Sequence, residues 1–340
     1  MGNFLKALVF IFSITVIFIH FKRKESFIIQ GTIIRDLRTE NYKRDKDFIN
    51  SIDDFIPSLT LYTMPLKAIK GKYLIESGEV ELGIDYIEKS FFENPFLRYG
   101  EAVLADIYER LGIYDKFYDY SYKAIKALPN NPIHFVLYAR MMNAKSKPDS
   151  IVHHFNIISK NQGASRDPQI YNITMASIVN DTSSYQKYNA YNIAKEAKKK
   201  FPDNEVTNRI ADYILYSKDN VERALELQEK ARNLFNSNNV DQSLLLLKEA
   251  NELYPVNQLI LDDLINVYSF KKMYKEIEEM YMNYLNTYKY MADPTINHFA
   301  TALFYNNNYK ESCKLFNILI NKNFDIDENV RVFCNTTNNG

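Results

Sequence analysis

Residues 98–130 carry the clearest structural pattern of the chain and read RYGEAVLADIYERLGIYDKFYDYSYKAIKALPN. Leu104 and Tyr108 lie four positions apart before Gly112, and a second stripe of apolar and small residues follows this glycine. Both stripes have the spacing of one helix face. Pro129 ends the second helix, because proline lacks the backbone N–H that a helix interior needs. The stretch is therefore predicted to fold as two helices that pack against each other across a turn.

The same pattern begins one repeat earlier, at residue 64. Three pairs of small or turn-forming residues lie 34 positions apart: Gly78 and Gly112, Ser90 and Ala124, Pro95 and Pro129. Small residues let two helices approach closely, and each proline closes a unit. A period of 34 is typical of helix-turn-helix units that stack in series.

The spacing becomes irregular after the second unit. Pro202 follows Pro129 after 73 positions, two periods plus five, and Pro255 follows Pro202 after 53, one period plus 19. We expect the five extra residues to form a loop at residues 161–168 and the 19 extra residues to form an unpaired or offset helix near Glu205–Tyr216. The remaining expected helices cover residues 133–143, 149–160, 169–180, 185–201, 224–235, 240–254, 258–270, 274–288, 295–305 and 309–322, with a capping helix at 328–333.

Residues 98–130 resemble the tetratricopeptide repeat (TPR) family. The residues that carry the resemblance are Leu104, Ala105, Tyr108, Gly112, Tyr114, Phe117, Ala124 and Pro129. The unit before it departs from the family at Lys70, where leucine is usual. The resemblance implies an all-α, TPR-like α-solenoid of antiparallel helix pairs over residues 64–325, with a C-terminal cap and tail at 326–340. It also implies a groove that binds another protein or a peptide.

The N-terminal residues have a different character from the repeats. Residues 4–21 are apolar apart from Lys6 and a few small polar or histidine side chains. As a helix, these 18 residues would be roughly 27 Å long, close to the hydrocarbon thickness of a bilayer. The sequence predicts an N-terminal transmembrane helix within residues 1–24, followed by a tether at 25–63 with one or two short helices.

A cleaved signal peptide is the alternative for this segment. It would end in small residues, whereas this run ends in His20, Phe21 and the basic residues Lys22, Arg23 and Lys24. The basic residues slightly favour a cytoplasmic location for the repeats. The opposite orientation stays open.

Two cysteines occur in the chain. Cys313 falls inside an expected helix and Cys334 in the expected tail, so we expect one buried and one exposed free thiol. A disulfide between them would pin the tail to the last repeat, and it would require an oxidising compartment.

Composition and motifs argue against several classes of function. The 42 acidic residues balance the 42 basic ones, which is unlike a dedicated nucleic-acid binder. His153 and His154 are adjacent, so on a helix their side chains diverge by about 100° and do not form a metal-binding pair. The sequence also lacks zinc-protease, serine-hydrolase and phosphate-loop motifs. We therefore expect a protein that is not an enzyme and that has no cofactor or metal.

The TPR resemblance also implies which residues face the groove, because the first helix of each unit lines it in that family. The matching positions are Lys72, Tyr99, Asp106, Glu109, Arg110, Asn172, Met175, Arg232, Asp262 and Asn266. The alternative for each is ordinary solvated surface. Asp106 and Glu109 place acids where the family's clamp for a partner's C-terminal carboxylate needs none.

The expected function is a membrane-tethered TPR scaffold that mediates protein–protein interactions without catalysis. The stretch from Pro65 to Pro132, with Asn130-Asn131-Pro132-Ile133-His134 at its end, also resembles the repeat tails of some bacterial O-antigen polymerases and ligases. This second resemblance implies an alternative, an accessory factor in bacterial cell-envelope polysaccharide assembly of the O-antigen type.

Overall fold

The chain folds into helices that pack in pairs. The computed structural model describes residues 2–52, 58–60, 62–287 and 291–337, and within these ranges it contains no β-strand. The chain divides into two compact units, Met1–Ala211 and Asp212–Gly340, here called unit 1 and unit 2. Helix pairs in series are the architecture of an α-solenoid.

Unit 1 contains the helices up to the division. They are α1 Gly2–Thr39, α2 Lys46–Ser51, α3 Leu66–Glu76, α4 Val80–Lys89, α5 Tyr99–Arg110, α6 Tyr114–Ala127, α7 Pro132–Ala144, α8 Pro148–Ile158, α9 Pro168–Ile178, α10 Tyr185–Tyr188 and α11 Ala190–Lys200. Helix α12, Glu205–Tyr216, contains the division between the units.

Unit 2 contains the remaining helices. They are α13 Lys218–Asn236, α14 Val240–Leu253, α15 Gln258–Phe270, α16 Tyr274–Thr287, α17 Asp293–Tyr305, α18 Tyr309–Asn321 and α19 Glu328–Thr337. Residue 288 of the expected helix 274–288 and residues 338–340 of the expected tail lie outside the described ranges.

Glycines bring α3 and α4 into backbone contact. A Cβ atom on Gly71 would lie 2.5 Å from the carbonyl oxygen of Gly83, and one on Gly83 would lie 2.6 Å from that of Gly71. In unit 2 a buried serine joins the two helices of a pair instead. Ser243 Oγ donates to the carbonyl of Ala231 at 2.8 Å. Small residues therefore set the spacing within pairs.

The structure divides the helix expected at 185–201. It contains α10 and α11, separated by Asn189, whose φ of 56° lies in the left-handed region. A left-handed residue cannot continue a right-handed helix, so the chain changes direction there. The expected loop at 161–168 also contains a short 3₁₀ turn, Ala164–Arg166.

The expected tether at 25–63 contains packed structure among its described residues, and residues 53–57 and 61 lie outside the described ranges. Helix α1 continues without a break past residue 24, and Ile33 is fully buried in one core cluster with Ile49 and Ile52 of the following segment. Ile29 and Leu37 pack against the same cluster. These residues of α1 recur every four positions, which gives the helix an apolar stripe that binds it to unit 1.

The N-terminal part of α1 exposes large apolar side chains, among them Phe10, Phe12 and Phe18. Within the described ranges, no helix is both long enough and apolar enough to cross a membrane, so the expected transmembrane helix is not found.

Cys313 and Cys334 form a disulfide bond, which corrects the expectation of two free thiols. Cys334 lies in a helix and not in a tail, because α19 extends to Thr337 and packs on α18. The ring of Phe333 contacts those of Phe304 and Tyr309, and both cysteines are buried. The C-terminal cap is therefore attached covalently to the last helix pair.

Candidate functional site

A groove of about 940 Å³ runs along unit 1. The first helices of successive pairs contact one another, α3 with α5, α5 with α7 and α7 with α9, and the groove follows this series. We call it the unit 1 groove. Its lining comes from α1 and the loop after it (Ile34, Leu37, Arg38, Glu40, Tyr42), the α3 region (Tyr62, Met64, Lys72, Glu76), the α5 region (Leu97, Tyr99, Ala102, Val103, Asp106, Arg110), the α7 region (Asn131, Pro132, Ile133, His134, Val136, Leu137, Arg140) and the start of α9 (Asp167, Gln169).

Four lining residues follow the repeat period. Arg38, Lys72, Asp106 and Arg140 lie on α1, α3, α5 and α7, each 34 positions after the one before. Residues at one repeat position occupy equivalent places on successive first helices. Helix α1 thus contributes to the groove as the first member of the series, before the unit at which the sequence pattern begins.

Ion pairs connect three of these helices across the groove. Arg110 Nη1 on α5 lies 2.7 Å from Glu76 Oε1 on α3. Arg140 Nη2 on α7 lies 3.3 Å from Asp106 Oδ1 and 2.8 Å from Glu109 Oε2, both on α5. Arg110 Nε also lies 3.5 Å from Asp106 Oδ2. We call these five residues the charge ladder, and its charges largely neutralise one another.

Burial affects the acid at one end of the charge ladder. Burial raises the pKa of the Glu109 carboxyl group. The positive charge of Arg140 lowers this pKa in part, and the negative charge of Asp106 raises it further. The net result is a carboxyl group with a pKa above its usual value.

The α1 end of the groove has a different charge balance. Lys72 Nζ lies 4.1 Å from the centre of the Tyr42 ring, a cation–π contact. Among the described residues, neither Lys72 nor Arg38 forms an ion pair with a carboxylate, while Glu40 lies nearby on the lining. With two cations and one acid, this end carries about one uncompensated positive charge.

Tyr99 offers a hydrogen-bonding group to the groove. Burial raises the pKa of its phenol, and the phenol of Tyr42 and the carboxylate of Asp106 add to the effect. Tyr99 therefore stays neutral at physiological pH. Within the part of the chain that the structure describes, its hydroxyl has no hydrogen-bond partner, so it is available to a ligand.

His134 lies at the wall of the groove but has a structural role. Its Nδ1 lies 3.2 Å from the carbonyl oxygen of Ala124, and the side chain is buried. Burial lowers the pKa of His134 to about 4, so the ring is neutral at physiological pH. A neutral Nδ1–H then donates to that carbonyl and connects α7 to α6.

Four of the ten groove residues predicted from the sequence line this groove: Lys72, Tyr99, Asp106 and Arg110. Glu109 is held beside it by Arg140. The sequence-based prediction did not include several other residues that line the groove, above all Glu76 and Arg140. A signal was present, because Glu76 lies 34 positions before Arg110 and Arg140 lies 34 positions after Asp106.

Two further predicted residues lie on α9. The side chain of Met175 is 0 % exposed and belongs to the core, so a partner could not reach it. Asn172 is half-buried, and its Oδ1 is buried with no hydrogen-bond partner. The two residues are three apart and lie on the same side of α9, where Asn172 is the more exposed of the two.

The last three predicted residues belong to unit 2. Arg232 Nε lies 2.6 Å from Asp263 Oδ2. Asp262 Oδ1 accepts hydrogen bonds from the Tyr284 hydroxyl at 2.7 Å and from Thr295 Oγ1 at 3.0 Å. Asn266 is exposed on α15.

No group of three histidine, cysteine, aspartate or glutamate side chains among the described residues is arranged to hold a metal ion. The adjacent rings of His153 and His154 lie 5.2 Å apart and nearly perpendicular. His154 Nδ1 is 2.9 Å from the carbonyl oxygen of Ser150, which accounts for its orientation.

Comparison with known proteins assigns no family to the chain. No protein-family model matches it, and no curated protein matches its sequence. Membership of the TPR family and the O-antigen resemblance therefore stay predictions.

Proposed function

We propose that the chain is a TPR-family scaffold, attached to a membrane and without catalysis of its own, that binds an extended segment of a partner protein in the unit 1 groove. The observation that carries the proposal is the repeat-spaced lining, in which Arg38, Lys72, Asp106 and Arg140 recur every 34 residues on adjacent first helices. A groove built by repetition offers similar contacts at regular intervals, which suits an extended polypeptide.

The lining supports a mainly apolar ligand with one acidic residue. Aromatic rings of Tyr42, Tyr62 and Tyr99 provide contact area of the kind that dominates binding energy. A charged ligand group at the charge ladder would have to displace an existing ion pair. At the α1 end, Arg38 and Lys72 favour an acidic side chain by charge complementarity.

Selection from a random peptide library tests this proposal. Enriched peptides should share an acidic residue beside apolar ones, and Lys72→Glu or Tyr99→Ala should weaken their binding at least tenfold. The matched control is Lys126→Glu on α6, because Lys126 also makes a cation–π contact, with Tyr122, but does not line the groove. Equal affinity of all variants for the peptides would contradict the proposal.

Membrane attachment through residues 4–21 is supported by the exposed apolar side chains of α1 and by the basic residues Lys22, Arg23 and Lys24 that follow them. Exposed apolar surface of this extent is costly in water, and lysine and arginine suit the headgroup region. Protease protection in sealed vesicles tests whether the segment crosses the bilayer once, as the sequence predicts, or lies along one face.

Two features of the chain favour opposite sides of the membrane as the location of the repeats. The basic residues 22–24 favour a cytoplasmic location of the repeats, but by a narrow margin over Lys6 and the amino terminus. The disulfide between Cys313 and Cys334 favours an oxidising compartment. We give the disulfide more weight, because a reducing compartment would keep both thiols free.

The polysaccharide-assembly role stays the second candidate, resting on the resemblance of residues 65–132. Pull-down in mild detergent followed by mass spectrometry tests it. Recovery of a glycan-assembly enzyme would support it, and a partner set without such an enzyme would contradict it.

A further inference from the structure

Two phenylalanines are exposed to an unusual degree on the connection between α4 and α5. Phe92 is 90 % exposed and Phe96 is 85 % exposed, and only three residues separate them. A single exposed apolar residue needs no explanation, but two nearly bare aromatic side chains on one short loop form a local apolar patch. We call residues 92–96 the aromatic loop.

The aromatic loop lies at the end of unit 1 where α3 begins. Lys67 Nζ in the first turn of α3 is 2.8 Å from Glu93 Oε1. Asn94 Nδ2 donates to the carbonyl of Thr63, just before α3, at 2.8 Å. These contacts hold the loop beside the first turn of α3 and leave the two phenylalanine rings pointing outward.

Helix α1 emerges from the same end of unit 1. Lys46 Nζ at the start of α2 lies 3.3 Å from Glu79, just past the end of α3, and Lys70 Nζ donates to the carbonyl of Ile52 at the end of α2. Helix α2 therefore runs antiparallel to α3. A six-residue connection joins α1 to α2, so α1 ends near the end of α3. Arg38 on α1 lies one repeat period before Lys72 on α3, and both line the groove, so we take α1 to run in the same direction as α3. Its N-terminal half consequently projects past the start of α3.

The aromatic loop and the apolar N-terminal part of α1 also lie at matching distances along the axis of α1. Ile29 is the first apolar residue of α1 that packs in the core of unit 1, and Lys24 lies five residues before it. Five helical residues are about 7.5 Å, similar to the thickness of one headgroup layer. Between them Phe27 and Ile28 are exposed. With Lys24 at the headgroups, the aromatic loop lies at the level of the interface.

We propose that the aromatic loop is a second membrane-binding site and that its occupant is the phospholipid bilayer to which α1 attaches. The inference rests on the proposed membrane attachment, and it adds what that attachment leaves open, the orientation of unit 1. One helix alone would let unit 1 rotate about the helix axis. A second contact beside it prevents the rotation and places the start of α3 against the membrane.

The chain contains no tryptophan, so a single introduced tryptophan reports on its own position. We would place the full-length Phe96→Trp variant in phosphatidylcholine–phosphatidylglycerol vesicles whose acyl chains carry bromine, a short-range quencher. Emission of this tryptophan should shift to shorter wavelength and lose at least half of its intensity. The matched control is Tyr114→Trp, an exposed aromatic position past the other end of α5, which should stay unquenched.

A third variant separates this inference from the proposed attachment. Phe12→Trp reports on α1, and quenching there with none at position 96 would overturn the aromatic-loop inference while leaving the attachment intact. Quenching at position 96 without quenching at position 12 would support the loop and contradict the attachment through α1. Equal quenching at positions 96 and 114 would overturn the inference, because it would indicate adsorption without orientation.

A loss-of-contact variant provides the second measurement. In Phe92→Ser/Phe96→Ser the substituted side chains are exposed, so thermal unfolding should be unchanged. Binding of the full chain to the same vesicles should weaken several-fold. Unchanged binding would contradict the inference, and it would assign the patch to a protein partner instead.

Discussion

At the scale of single residues, Gly71 and Gly83 fix how closely α3 and α4 pack. A Cβ on Gly83 would lie 2.5 Å from Ile75 Cγ1 as well as 2.6 Å from the backbone of Gly71. Backbone cannot rotate away as a flexible side chain can, so the helices themselves would have to separate. Gly31, on α1, has no atom within 4 Å of the corresponding position and provides a contrast.

Gly83→Ala should therefore lower the free energy of unfolding by about 1 to 3 kcal/mol, the range of overpacking in a close-packed core. Gly31→Ala should raise it by up to about 1 kcal/mol, because alanine is the better helix former. Urea unfolding monitored by circular dichroism measures both. Equal stability of the two variants would mean that α3 and α4 are not in backbone contact.

Residue type explains why the sequence shows the repeat in only two units. The turn between paired helices needs a residue with positive φ, and Gly78 and Gly112 fill it in the first two. Ser146 fills the same position 34 residues later, and Asn238 and Lys272 are again 34 apart in unit 2. The backbone keeps the period where the residue type changes, so a pattern of glycines could not reveal it.

At the scale of elements, α1 shows how much depends on distant contacts. Its helical character and the apolar run before residue 22 were predictable from local pattern. The packing of α1 was not predictable from local pattern, because Asp36 is buried by contacts with residues elsewhere in the chain. Arg44 Nε and the Tyr73 hydroxyl each donate to Asp36 Oδ2 at 2.8 Å. The many charged residues at 25–63 predicted a solvated tether. One of them, Asp36, lies instead in a buried hydrogen-bond network.

This network gives unit 1 a defined dependence on pH. Burial by itself raises the pKa of Asp36, but hydrogen bonds from Arg44 and Tyr73 outweigh it and hold the pKa below its usual value. A carboxyl group with a lowered folded-state pKa stabilises the fold above its unfolded pKa of about 4, and the contribution disappears as pH falls through the folded value. The network should therefore weaken below about pH 4.

Asp36→Asn tests this dependence. The variant should be less stable than the natural chain at pH 7 by about 1 to 3 kcal/mol, because it leaves buried donors poorly matched. The difference should shrink on acidification toward pH 3. Asp47→Asn, at an exposed site on α2, is the control and should follow the natural chain. A constant difference between Asp36→Asn and the natural chain at all pH values would contradict the assignment.

For the candidate site, the sequence predicted several of the positions that line the groove, but it did not predict which residues form ion pairs with one another. Lys72, Tyr99 and Asp106 were placed correctly on first helices by the repeat pattern. That Arg140 would neutralise Asp106 depends on α7 following the same period. The 34-residue spacing of these two residues was the available signal, but the prolines past Pro129 no longer follow the period and concealed it. Charges that looked available to a partner are largely occupied by one another in the charge ladder.

At the scale of the whole molecule, the bond between Cys313 and Cys334 secures the C-terminal cap of unit 2. It closes a loop of 21 positions. Constraining a loop of this size in the unfolded chain stabilises a fold by about 3 kcal/mol. The sequence did not predict this disulfide, because the distance between the two cysteines depends on where α19 packs.

The Cys313→Ser/Cys334→Ser variant should accordingly unfold at a lower temperature than the natural chain. Dithiothreitol should lower the melting temperature of the natural chain toward that of the variant and should leave the variant unchanged. Thiol alkylation of intact cells before lysis tests the compartment, and we expect both cysteines to be protected as a disulfide. Full alkylation of the natural chain would place the repeats in a reducing compartment.

The unbroken helix α1 also affects how a partner would be found. A flexible linker lets a binding module search a wide volume, whereas a helix that continues into the core of unit 1 keeps the unit 1 groove at nearly one distance from its attachment point. Effective concentration is then high for segments at that distance and low for all others. On a membrane, this stiffness would select partners by the height of their binding segment above the bilayer, in addition to its sequence.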